Sequence, residues 1–93
     1  MRVFVAGSAE ADLDSIAEYF GGRNAAATEV MLARVSAAMQ LLATHPRIGH
    51  QGRASGTREL VVTRTPFVLV YTTDGETLIV MRVLHAQQQW PPA

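Results

Sequence analysis

The 93-residue chain has room for one hydrophobic core and reads as a single domain over residues 1–93. With 48% hydrophobic and 17% charged residues it is neither a disordered chain nor a membrane-spanning one, and with no cysteine it has no disulfide, thiolate metal site or thiol nucleophile. Eight Arg balance eight carboxylates to a formal charge of zero, Lys is absent, and neutrality of this kind argues at first against nucleic acid as a partner.

The apolar start, Met1-Arg2-Val3-Phe4-Val5, is too short for a signal peptide, and no apolar run approaches the roughly 18 residues of a transmembrane helix. A cytoplasmic protein is expected. Val3–Ala6 reads as a strand ended by Gly7. Ser8 then stands where a helix N-cap belongs, with Glu10 and Asp12 at the positive end of the helix dipole. Leu13, Ile16, Ala17 and Phe20 recur at helical spacing, and Gly21-Gly22 supplies the left-handed residue of a C-cap.

Asn24 caps a second helix running to about Thr44, where His45-Pro46 stops it, because the residue before proline is pushed out of the helical region. Residues 47–57 hold three Gly and little apolar pattern, so they form a loop. Beyond it the period falls to two. Leu60–Thr63 is a strand, Thr65-Pro66 a turn and Phe67–Tyr71 a further strand. Asp74-Gly75 predicts a two-residue type I′ hairpin with positive φ at both positions. Thr77–Leu84 is almost continuously apolar, as a central strand buried on both faces would be. The order β-α-α-β-β-β gives an α+β fold, a helical hairpin packed on an antiparallel sheet.

The neutral total conceals an uneven distribution. Residues 1–46 carry three Arg against five carboxylates, whereas residues 47–93 carry five Arg against three. Four Arg cluster between positions 47 and 64, beside His45 and His50. A local cationic face is therefore available to a neutral chain.

The second helix has more apolar surface than one neighbour requires. Met31, Val35, Ala38 and Leu42 form a stripe, with Leu32 and Met39 on one flank and Val30 and Leu41 on the other. That arc spans roughly 200°, twice what a surface helix needs. Either the first helix and the sheet absorb it, or part of it docks an amphipathic partner.

Arg82 lies mid-strand between Val80 and Leu84, sharing their face, and an unpaired buried charge there is costly. It is either salt-bridged, with Glu59 and Glu76 as candidates, or a guanidinium fork for a phosphate or oxyanion. Arg58 and Arg64 share a face with Leu60 and Val62. His85 ends the last strand and could act as an acid or base. Trp90 either covers the sheet edge or anchors a target. His45-x₄-His50 is the wrong spacing for a metal site, and no cofactor motif is present.

Five short motifs, Ala9-x-x-Asp12-Leu13-x-x-Ile16-x-x-Tyr19, His45-Pro46-Arg47-Ile48-Gly49, Gly56-Thr57-Arg58-Glu59-Leu60, Phe67-Val68-Leu69-Val70-Tyr71 and Val83-Leu84-His85-x₄-Trp90-Pro91, follow one another along the chain. In this order they resemble the RelE/ParE superfamily of bacterial type II toxin–antitoxin toxins. The resemblance implies a growth-inhibiting toxin neutralised by a co-expressed antitoxin that wraps it in a hetero-oligomer. Antitoxin contacts are expected on Leu32, Met39, Leu41 and Phe20.

Two branches divide the function. The RelE-like branch is a metal-independent endoribonuclease on ribosome-bound mRNA, and Arg58, Arg82 and His85 match its phosphate-binding and acid–base positions. The ParE-like branch is not an enzyme of that kind, and poisons DNA gyrase through protein contacts. The absence of Lys and of a C-terminal Tyr, together with the Leu84-His85-x₄-Trp90-Pro91 ending, resembles the ParE-like branch. Its target contacts are expected from Arg58, Arg82, His85 and Trp90.

Overall fold

A computed structural model describes residues 1–92. The chain runs β1 (Arg2–Val5), α1 (Gly7–Gly21), α2 (Ala25–Thr44), β2 (His50–Gln51), β3 (Arg58–Val61), β4 (Phe67–Thr73) and β5 (Thr77–His85). The strands form one sheet in the order β1-β5-β4-β3-β2, with both helices on one face. The α+β architecture is that expected, but the sheet is mixed: β1 pairs parallel to β5, Arg2 opposite Thr77 and Val5 opposite Val80. The two-residue β2 within the expected loop is also new, pairing His50 with Glu59 and Gln51 with Arg58.

The second helix forms as its sequence dictates. Asn24 is extended, and its side chain accepts from the Ala27 amide at 3.0 Å. The first differs at both ends. Its N-cap is Ala6, with no side-chain cap, because Ser8 lies inside the helix and donates to the Met81 carbonyl at 2.6 Å. Its C-cap, Gly22, has φ −70°, in the right-handed region, as the chain continues directly toward α2.

Between the helices and the sheet lie Ala9 and Ile16 of α1, Val35 and Leu42 of α2, and Phe67, Leu69, Tyr71, Leu78, Val80 and Val83 of β4 and β5. The strand buried on both faces is β4, where Phe67 to Tyr71 are all buried, and not β5, where Ile79 is exposed. The reason is position: β4 lies at the centre of the five, flanked by β5 and β3. Outside, the row Glu59–Val70–Arg82 crosses the sheet. Arg53 of the β2–β3 loop bonds Glu59, and Trp90 of the tail stands 5.3 Å from the Arg82 guanidinium.

The β4–β5 turn is not type I′. Asp74 accepts from the amides of Glu76 and Thr77, both at 2.9 Å, and only Gly75 takes a positive φ, +96°. An Asx turn thus replaces the two-residue hairpin. No helix among the described residues is long and apolar enough to cross a membrane.

Candidate functional site

Arg58 opens β3 on the helical side of the sheet, opposite Tyr71. Its guanidinium donates to the Gly49 carbonyl at 2.7 Å and to the Arg47 carbonyl at 3.4 Å. The Gly49 amide in turn donates to the Tyr71 hydroxyl at 2.9 Å. Gly49 is required here by close approach, since a Cβ would lie 2.7 Å from the Tyr71 oxygen and 2.8 Å from the Glu59 carbonyl. Arg58 and Tyr71 therefore clamp the His45–Gly49 loop to the sheet.

Arg82 is held differently. A register shift between Val70 and Tyr71 leaves Met81 bulged from the β4–β5 ladder. Val80 consequently faces the helices while Arg82 and Leu84 turn outward, so the face shared in the strict alternation of the sequence is broken. The partner of Arg82 is neither Glu59 nor Glu76 but Asp12 of α1, which accepts from Arg82 Nε at 2.7 Å and from its terminal nitrogen at 3.0 Å. The hydrogen bonds to Asp12 outweigh the cost of partial burial and raise the Arg82 pKa. Asp12 also accepts from the Val83 amide at 2.9 Å. Because β1 ends opposite Val80, the edge of β5 beyond it is free, and Ser8 and Asp12 complete it. Sequence reasoning missed Asp12 in this role; its proximity to residue 82 depends on a register that only the fold supplies.

His85 sits opposite Phe67 with the rings 6.4 Å apart, and its Nδ1 accepts from the Gln87 amide at 3.2 Å. It lines a shallow cleft against Asp12, Tyr19 and Phe20 of α1, with Gln88 above. Trp90 is half-buried and its indole nitrogen is enclosed without a hydrogen-bond partner. Arg58 and Arg82 do not converge. They occupy opposite faces, two strands or roughly 10 Å apart by strand spacing alone, and His85 lies at the far end of β5. Among the described residues, no three of His, Asp and Glu gather as a metal ion would require.

The expected antitoxin contacts disperse likewise. Leu32, Met39 and Phe20 pack against the core, Phe20 meeting Phe67 edge-on at 5.8 Å. Met39 also lines a groove of 260 Å³ beside β1, with Val3 and Val5. Only Leu41 stays substantially exposed, at 41%, and it lines a separate groove of 540 Å³ between α2 and the outer edge of β3. Ile48 and Val61, exposed by 47% and 57%, line the same groove. The helices and sheet thus absorb most of the apolar arc and leave uncovered this strip and, apart from it, Val30, which is 49% exposed.

Charge around the groove is one-sided. Arg34 and Arg64 line it, the Arg34 guanidinium donating to the Arg64 carbonyl at 3.1 Å. Between Val30 and Thr73 the sequence holds one carboxylate, Glu59. Glu59 is buried and bonded to Arg53 at 3.0 Å. Burial pushes its pKa up, but the side-chain and backbone bonds from Arg53 outweigh that and leave it below the ordinary value of 4.5.

Comparison with known proteins accords with this geometry. The solved structure of a chromosomal ParDE toxin–antitoxin system from P. aeruginosa has the same fold, at a TM-score of 0.70 and 21% identity, with 91% of this chain and 95% of that one aligned. "Putative toxin Y4kP" of Sinorhizobium fredii is 37% identical over 79 residues, which cover 85% of this chain and 81% of the relative. The profile of the ParE toxins of type II toxin–antitoxin systems (parDE) matches residues 3–90. The chain belongs to the ParE toxin family of type II toxin–antitoxin systems.

Proposed function

We propose that this toxin arrests growth by poisoning DNA gyrase through protein contacts, and that a cognate antitoxin holds it in a hetero-oligomer until release. Family membership over residues 3–90 carries the reading, since gyrase inhibition is the role known for ParE toxins. The arrangement of charge supports it. Ribonuclease chemistry needs a base, an acid and cations around one phosphate. Here Arg58 is spent on the carbonyls of Gly49 and Arg47, Arg82 on Asp12, and His85 lies apart from Arg58.

In this reading Arg58 braces the His45–Gly49 loop, Arg82 holds the tail through Trp90, and His85 and Trp90 at the end of β5 meet the target. Expression in growing bacteria tests it. Arrest should come with induction of the DNA-damage response while mRNA stays intact. Arrest with discrete mRNA cleavage, abolished by Arg82→Ala, would point to the ribonuclease branch instead.

A further inference from the structure

The tail that follows β5 is held at its start by hydrogen bonds and at its end by one ring. At the start, the Ala86 amide donates to the Pro66 carbonyl at 2.7 Å, the Gln88 amide to the His85 carbonyl at 2.9 Å and the Gln87 amide to His85 Nδ1 at 3.2 Å. Beyond Gln88, among the described residues, no hydrogen bond fixes the chain, and Pro91 and Pro92 have no amide N–H to donate. Residues 86–89, 91 and 92 are exposed, while Trp90 is half-buried. Its indole nitrogen is enclosed without an acceptor, so the ring is held by packing and by the Arg82 guanidinium, 5.3 Å from its centre.

Arg82 can serve as that platform only if its own side chain is fixed. A free guanidinium on a long stem samples many rotamers, and holding one of them costs entropy. Asp12 accepts from Nε at 2.7 Å and from a terminal nitrogen at 3.0 Å, a two-pronged bond that sets the plane of the guanidinium as well as its position. Asp12 is itself held by α1 and by the Val83 amide at 2.9 Å. Asp12 and Arg82 are both largely buried and offer a partner little surface of their own.

We propose that Asp12 is a positioning residue for the target-binding end: from α1 it orients Arg82, Arg82 orients Trp90, and the pose of Trp90 sets the potency of the toxin. The proposal rests on the reading of the β5 end as the surface that meets the target, and adds to it a residue that acts through two others. A mere staple between α1 and β5 would weaken folding without moving Trp90 or depending on it.

Trp90 is the one Trp of the chain, so its fluorescence reports the tail directly. Asp12→Asn keeps an acceptor for the Val83 amide but removes the charge that holds Arg82, whereas Arg82→Lys keeps the charge and loses the planar fork. In each, with the fold intact by circular dichroism, acrylamide should quench Trp90 at least about twofold more efficiently, and at least about tenfold more toxin should be needed to halve growth on expression. Trp90→Ala alone should lose the same potency, and adding Asp12→Asn to it should cost nothing further, because residues that act in series are not additive. Trp90 lies outside every helix and strand, so its replacement keeps the test valid if the other two variants misfold. Unchanged quenching or unchanged potency in the folded variants, losses that add in the double variant, or parental potency of Trp90→Ala would each overturn the proposal. Gyrase cleavage is scored separately: a parent chain that arrests growth without trapping gyrase contradicts the choice of target, while the dependence on Asp12 is still read from growth.

Discussion

Asp12 accepts three hydrogen bonds from β5, two from the Arg82 guanidinium and one from the Val83 amide. Both charged partners are more than two-thirds buried, with side-chain exposures of 17% and 26%. Asp12→Ala would leave an unpaired guanidinium and an orphaned edge amide, and should cost about 2–4 kcal/mol by urea denaturation. Asp12→Asn keeps an acceptor for Val83 and should cost less. Gly49→Ala forces its Cβ against the Tyr71 hydroxyl and the Glu59 backbone, and should cost about 1–3 kcal/mol in the same measurement. Glu59 acts through pH. Its pKa is lower folded than unfolded, so around pH 4.5 the unfolded chain binds more protons. Its contribution is complete above that pH and is lost as pH falls through the folded value. Arg53 is 42% exposed, so solvent screening limits the pair to about 1 kcal/mol. Unfolding followed against pH should show Glu59→Gln weakest relative to the parent near pH 7, with the gap closing toward about pH 3.

At the scale of elements, local chemistry decides what can be seen in the sequence. Asn24 and the long apolar period of α2 are signals contained within a few residues, and both form as read. Asn24→Ala should cost about 0.5–2 kcal/mol in thermal or urea unfolding, as one orphan helix donor loses its acceptor. The β3, β4 and β5 segments are likewise visible from their period of two. The parallel pairing of β1 is not, because β1 and β5 lie more than 70 residues apart and nothing in four residues specifies direction. The bulge at Met81 is equally hidden, and it separates Val80 from Arg82 and turns a shared face into two. Ser8 was legible as a polar residue at a helix start, but its hydroxyl serves the β5 edge and not the helix. The candidate site was legible only as a set of residue types. Arg58, Arg82 and His85 were visible, whereas their dispersal, and the partnership of Arg82 with Asp12, followed from register.

For the molecule as a whole, the zero net charge conceals two organised regions. The one carboxylate of residues 30–73 is turned inward, so the groove between α2 and β3 keeps a cationic rim on a neutral chain. The other candidate surface, the end of β5 with its tail, is anchored by Asp12 through Arg82 to Trp90, a guanidinium 5.3 Å from an indole ring. The ParE assignment and the dispersal of the arginines support one account: a toxin that works by occupying a protein target, not by cutting RNA. Purified gyrase and supercoiled plasmid test that account most directly. Adding the toxin in the presence of ATP should accumulate linear DNA covalently linked to gyrase, and prior addition of the antitoxin should prevent it. Unimpaired supercoiling and no trapped cleavage complex at excess toxin, with cleavage of mRNA on purified ribosomes, would contradict it.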